Sequence, residues 1–321
     1  MHALVWVSLL ALAASDGEGV FRRKVLTSDR VALALYRYVP PGGGRAHPPV
    51  LLVPELGFGR EAFDLRGRGL APYLVSQGRE VYVLEPRGHG KSSAPPGWRL
   101  AEIVERDLPA ALEVISRACV GRVDVVAHGF GGTLVLAAAA KELAGKMGRI
   151  VALSTPAEPE LPNRHTAAVL RAGGKLSALA TDPEGAAVFH MLYTRGGQLD
   201  AAVVTELRAT GLSDLSGAAA RDLLRWMEKG DLPLADGSTM KQRLAALDRP
   251  TLLFLPLLDN FAHPEFASPL RELAKGPVQV RVLSRLELFR EDYTHLSMLH
   301  GQDAPKDVFA PALKFLNEKT K

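Results

Sequence analysis

Val123–Leu136 reads VDVVAHGFGGTLVL. Its first five residues, VDVVA, form a short apolar run of the kind that makes a strand buried on both faces. Small residues then break the run, and FGGTLVLAAAAKELAG continues at once with helical character to about Leu143. A strand that turns directly into a helix exposes whatever residue sits at the tip of the turn. Here that residue is Gly129, which has no side chain. The bend is flanked by Ala127 and Gly131, with His128 and Phe130 between.

Outward from this stretch, strand and helix signals alternate. Val20 to Val39 holds two β-like runs split by Asp29-Arg30, a hairpin at a sheet edge. Pro40 to Gly44 is a loop. Val50 to Val53, Val81 to Leu84 and Ile150 to Leu153 read as buried strands, and Phe63 to Gln77 and Leu100 to Ala118 as helices. Between Ala157 and Asp236 there are helical segments and no convincing buried strand. Alternation resumes with strands at Thr251 to Leu255 and Val278 to Leu283, and Val308 to Leu316 lies in a last helix. The pattern predicts an α/β fold, a mostly parallel central sheet with helices on both faces. A helical insertion within it is most simply a cap over the C-terminal ends of the strands. The expected organisation is a core from 18–156, a helical cap insertion over 157–236 and the rest of the core over 237–321.

The totals suit one large α/β domain with an insertion, or two small domains, with a substantial buried core. The 321 residues are 47% apolar and 23% charged, with a net charge of +4. That excludes global disorder. No basic stripe with interleaved aromatics is present, which argues against nucleic acid as a partner. Cys119 is the only cysteine, so neither an internal disulfide nor a multi-cysteine metal site is available. No metal-ligand cluster or phosphate loop has the right spacing, and no metal or cofactor is expected. Residues 1–17 contain the apolar run ALVWVSLLALAA followed by SDGEG. This reads as a short secretory signal or an apolar leader, and leaves an exported and a cytoplasmic location equally open. It is too short for a comfortable membrane span, and no other segment is apolar for long enough.

Four further motifs bear on function. VYVLEPRGHGKSS, VVAHGFGG, LLDNFAHPE and YTHLSMLHGQDAPKDVFAPALKFL occur in that order. Together they resemble the α/β-hydrolase superfamily, with lipase and esterase character nearest to acid lipases and polyester synthases. In that family VVAHGFGG corresponds to the nucleophile elbow, Gly-x-Ser-x-Gly, whose serine hydroxyl stands at the tip. Gly129 occupies that serine's place. The resemblance implies that His295 is the catalytic histidine and Asp259 the acid that orients it. It implies an oxyanion hole from the backbone N–H groups of Leu56 and Phe130. Pro54-Glu55-Leu56-Gly57 departs from the usual His-Gly-x-Gly there. If Glu55 faces the pocket its carboxylate opposes a developing oxyanion; if it turns outward the hole survives. Glu55 and His128 are pocket candidates.

Other hydroxyl, thiol and imidazole groups have plainer readings. Ser92, Ser93 and Ser154 read as turn or capping hydroxyls. Cys119 reads as packing and His89 as part of a structural loop. His128 either lines the pocket or packs, and His300 is a weaker candidate than His295. Three functions follow. The first is a pseudoenzyme of lipase/esterase type, without ordinary serine hydrolase activity, whose pocket takes a small apolar or ester-like ligand. The second is a hydrolase or lyase-type enzyme in which the His295–Asp259 dyad is a general base without a covalent intermediate. The third is a structural or interaction protein with an occluded pocket. Bulky cap side chains filling the site mark the third; convergence of His295, Gly129 and the two donors on an open cavity marks the second.

Overall fold

The computed structural model describes residues 14–15, 19–43, 46–119, 121–141, 143–158, 163–181, 183–195, 199–267 and 269–318. All but the end of the apolar leader, and with it the secretory-signal reading, lies outside the described residues. Strands β1 (Ala14–Ser15), β2 (Val20–Leu26), β3 (Ala32–Tyr38), β4 (Val50–Val53), β5 (Val81–Glu85), β6 (Val123–His128), β7 (Met147–Leu153), β8 (Thr251–Pro256) and β9 (Val278–Leu283) build one sheet. Their spatial order is β1-β2-β3-β5-β4-β6-β7-β8-β9. The pairs β1–β2, β2–β3 and β3–β5 are antiparallel. Every pair from β5 through β4 to β9 is parallel.

The strand composition follows from this order. β4, β5, β6 and β8 are buried at every residue, because helices cover both faces. β2 lies towards the edge, and Phe21 and Leu26 remain exposed there. The turn between β2 and β3 holds Arg30 in the left-handed region, at φ 64°.

Helix α1 (Leu70–Ser76) is shorter than the expected Phe63–Gln77. Phe63 and Leu65 are buried, but from a loop that closes at Gly69, φ 129°. Helical spacing there reflected burial rather than helix. The Leu100–Ala118 segment is one turn of α-helix (Leu100–Glu102), a π turn (Ile103–Asp107) and helix α2 (Leu108–Ala118). Asp107, at the end of the π turn, accepts from the Arg87 guanidinium at 2.7 Å and the Arg87 backbone N–H at 2.9 Å. Asp29 pairs with the same guanidinium at 2.9 Å. Arg87 is fully buried, so these partners are what permit its charge there. They also fix the loop after β5.

Helix α3 (Gly129–Ala139) follows β6 without a break, is buried along its whole length and ends before Leu143. Between β7 and β8 the described residues contain six helices and no strand: α4 (Arg164–Arg171), α5 (Ala178–Thr181), α6 (Pro183–Tyr193), α7 (Ala201–Thr210), α8 (Gly217–Lys229) and α9 (Met240–Ala246). Asn163, Asp200 and Ser216 cap α4, α7 and α8 by accepting from orphan N–H groups in the first turns. Two backbone hydrogen bonds tie this insertion to the loop after β4: Gly59 N–H to Gly211 C=O at 2.9 Å, and Ser213 N–H to Gly57 C=O at 2.7 Å. The loop carrying Glu55 and Leu56 is therefore fastened under the insertion. Among the described residues no helix is long and apolar enough to cross a membrane.

Candidate active site

The turn at the end of β6 sets the site's geometry. His128 is extended and Gly129 has φ 56°. Gly129 enters the left-handed region, where a side chain would be strained. The turn also crosses close to other backbone, since a Cβ on Gly131 would lie 1.9 Å from the Pro54 carbonyl oxygen. That close approach brings the N-terminus of α3 against the loop after β4. Gly131 thus serves packing, and Gly129 serves both the turn and the site.

The space above Gly129 is filled by Glu55. A Cβ built on Gly129 would lie 1.6 Å from Glu55 Oε2 and 2.4 Å from its Cδ. Glu55 points inward and is buried. Its Oε1 accepts from Leu56 N–H at 2.5 Å and its Oε2 from Phe130 N–H at 2.9 Å. Both backbone donors identified from the sequence therefore converge on the protein's own carboxylate. The N-terminus of an eleven-residue helix is a favourable place for that anion, because its N–H groups are unpaired and its dipole is positive there.

Glu55 is one of two carboxylates on the same imidazole. His295 Nδ1 lies 3.0 Å from Asp259 Oδ2 and His295 Nε2 lies 3.3 Å from Glu55 Oε2. The Glu55 contact is an ion pair lying off hydrogen-bond alignment, so Nε2 has no aligned acceptor. All three side chains are buried. Burial alone would lower the His295 pKa. The charge and hydrogen bond of Asp259, reinforced by Glu55, outweigh it and raise the pKa to about 9. Burial likewise pushes the Asp259 carboxyl up. The His295 charge and hydrogen bond, with hydrogen bonds from Ser154 and Phe261 N–H, reverse this and hold it below the usual carboxylate range. For Glu55, burial wins over His295 and the two N–H donors, and its pKa is raised.

Two neighbours complete the imidazole's surroundings. Ser154 follows β7 at φ 49°. Its hydroxyl donates to Asp259 and lies 2.7 Å from His295 Nδ1. Sequence reading placed Ser154 among turn hydroxyls, and the structure corrects this: it lies behind the imidazole, on the Asp259 side. The available signal was its position at the C-terminal end of the strand beside β6. His128 packs, its ring 4.3 Å from that of His295 and its Nε2–H donating to the His295 carbonyl at 3.0 Å. Burial, then the His295 charge, hold its pKa well below the ordinary value, so it is neutral.

The other candidates are elsewhere. His89 is a loop residue: Nε2 accepts from Gly57 N–H at 2.7 Å and Nδ1 faces the Arg87 carbonyl at 2.8 Å. The Ser92 hydroxyl donates to the Glu85 carbonyl and accepts from Ala34 N–H. Ser93 lies with Lys91 and Arg23 in a surface recess. Burial pushes the half-buried Cys119 thiol up, which makes it a poorer nucleophile. His300 lines a separate groove with Tyr73 and Phe309.

A small cavity lies between Glu55 and the helical insertion. Glu55, Leu56, Phe130, Leu170, Tyr193 and Phe261 are among its walls. Its volume is about 40 Å³. At roughly 10–15 Å³ per water, that is room for about three waters.

Residues 48–181 match the family model described as the alpha/beta hydrolase fold. No curated protein matches the sequence. Among solved structures the chain is similar to an enol-lactonase from Burkholderia xenovorans LB400, with TM-score 0.68 and 19% identity over 92% of this chain and 100% of that one. It is similar to a hydrolase from Pseudomonas aeruginosa PA01, with TM-score 0.66 and 23% identity over 92% and 98%. A thermophilic esterase from Thermogutta terrifontis gives TM-score 0.64 and 19% identity over 92% and 97%. Sheet order, the turn at Gly129 and these matches show that the chain has the α/β-hydrolase fold.

Proposed function

We propose that this is an α/β-hydrolase-fold protein of lipase/esterase type that performs no ordinary serine hydrolysis. One observation carries this reading: the Glu55 carboxylate occupies the space above Gly129 and takes both backbone donors. In the reading drawn from the family, Gly129 stands at the nucleophile's position and Leu56 and Phe130 supply the oxyanion hole. An ester would then find no hydroxyl to attack it and no free N–H to hold its oxyanion. A fixed carboxylate at that point also opposes negative charge developing on a substrate oxygen. The ligand that suits the cavity is small, neutral and apolar or ester-like. Leu170, Tyr193 and Phe261 line it, and long acyl chains have no room.

Hydrolysis of p-nitrophenyl acetate by four proteins tests this. Native protein and Gly129→Ser are expected to be silent, the second because the new side chain and Glu55 compete for one space. Glu55→Ala with Gly129→Ser frees both donors and supplies the hydroxyl, and is expected to turn over. Adding His295→Ala should abolish that turnover. Native hydrolysis that disappears on His295→Ala alone would overturn the proposal.

A further inference from the structure

The side chain that meets the cavity is Glu55, not His295. The imidazole Nε2 lies behind the Glu55 carboxylate and is itself buried. A base acting on a bound molecule must therefore be Glu55. A carboxylate offers about four lone-pair directions. Two are taken by Leu56 and Phe130 N–H, and the imidazole contact lies off alignment. Lone-pair capacity remains on a group that lines the cavity.

Tyr193 lines the same cavity. Its ring lies 5.5 Å from the His295 ring and 5.4 Å from the Phe261 ring. Its backbone carbonyl accepts from Leu296 N–H, but its hydroxyl has no hydrogen-bond partner among the described residues. Burial, then the charges of Glu55 and Asp259, push its pKa far up, so it stays a neutral donor. The cavity is thus lined by Glu55, a buried carboxylate, and by Tyr193, whose O–H is unspent, among apolar side chains. That pairing suits proton transfer at carbon next to a carbonyl, where a base removes the proton and a donor meets the oxygen as charge arrives.

We propose that Glu55 removes a proton from the carbon adjacent to the carbonyl of a small neutral ketone or aldehyde, while the Tyr193 hydroxyl donates to the carbonyl oxygen. The C–H bond breaks and an O–H bond forms on Glu55. The C–H electron pair becomes the C=C bond of the enolate, and the carbonyl π pair moves to oxygen. Returning the proton to the same carbon gives exchange; returning it to a conjugated carbon gives isomerisation. No oxidant, reductant or leaving group is involved. Burial strengthens Glu55 as a base relative to an exposed carboxylate. His295, held cationic by Asp259, anchors Glu55 and is a positioning residue.

This goes beyond the absence of serine hydrolysis and rests on that reading only in assuming that a small neutral molecule enters the cavity. Acetone is the probe. Its binding is followed by saturation-transfer NMR, and its hydrogen–deuterium exchange in D2O by loss of the methyl proton signal. Native protein should bind acetone and accelerate exchange. Glu55→Gln, which keeps the shape and removes the base, should lose at least roughly a hundredfold of that acceleration. Tyr193→Phe should lose roughly tenfold or more with binding retained. Binding without acceleration, or equal acceleration by Glu55→Gln, would overturn the proposal and leave the ligand reading intact. Absence of binding would overturn both. Far-UV circular dichroism of each variant establishes that it is folded.

Discussion

Two carboxylates face one imidazole, and their surroundings send them in opposite directions. Asp259 accepts from the N–H groups of Phe261 and Ala262 at 2.7 and 3.0 Å, from the Ser154 hydroxyl, and from His295. Glu55 accepts from two N–H groups and touches the imidazole only off alignment. Both are buried. The more fully bonded carboxyl has a lowered pKa and the less fully bonded one a raised pKa. Burial by itself therefore does not decide charge; at Asp259 the His295 charge and hydrogen bond, with those from Ser154 and Phe261 N–H, outweigh it, and at Glu55 the charge and bonds to the carboxylate do not. Asp259 keeps its charge to lower pH than an ordinary carboxyl. Glu55 takes up its proton at higher pH than an ordinary carboxyl.

Removing the imidazole from between them should have the largest effect. His295→Ala leaves two buried carboxylates without their cation, a change that ordinarily costs about 3–5 kcal/mol. Denaturant unfolding at neutral pH measures it. A loss below about 1 kcal/mol would mean that His295 is not the charge that holds the pair. Protonation of Glu55 is the natural relief, so the loss should shrink as pH falls towards the carboxylate range.

Neutralising each carboxylate in turn sharpens the contrast. Asp259→Asn should cost about 1.5–3 kcal/mol, the range for hydrogen bonds to a charged partner. Glu55→Gln should stay within about 1 kcal/mol of native, because desolvation of the ionised form already counts against it. The pH dependences differ in sign. Asp259 has a lowered folded pKa, so its contribution is present above the ordinary 3.8 and is lost as pH falls through the folded value. Glu55 has a raised folded pKa, so its contribution is present below 4.5 and is lost as pH rises through the folded value. His295 contributes fully below 6.5 and loses that contribution as pH rises through about 9. NMR titration of the His295 ring should show a larger fall in pKa for Asp259→Asn than for Glu55→Gln. Equal falls would erase the distinction between the two sides.

Much of this was legible because the strands are buried on both faces and spell themselves out as apolar runs, as in VLLV at β4 and VYVLE at β5. The turn at Gly129 and the meeting of His295 with Asp259 were also legible, since each of these residues lies in a marked motif. The orientation of Glu55 was not. It depends on a void left by a missing side chain seventy-odd positions away, together with a helix N-terminus that welcomes an anion. Neither condition is local to Pro54-Glu55-Leu56. Helix boundaries failed where burial mimicked helical spacing, as at Phe63 and Leu65. The π turn at Ile103–Asp107 inserts without disturbing the apolar periodicity, so no pattern betrays it.

The smallest expected difference lies at Ser154, on the Asp259 side of the imidazole. Its hydroxyl bridges Asp259 and His295, yet its backbone sits at φ 49°, where a residue with a Cβ is held under strain. The two contributions separate cleanly by substitution. Ser154→Ala keeps the strain and removes the hydroxyl, and should lose about 1–2 kcal/mol. Ser154→Gly removes the hydroxyl and the strain together, and glycine recovers about 1 kcal/mol of that loss. The glycine variant should therefore unfold later in denaturant than the alanine variant, against the usual ranking of the two residues. If alanine proves the more stable, the left-handed backbone at Ser154 stores no strain, and the hydroxyl alone accounts for the serine at this turn.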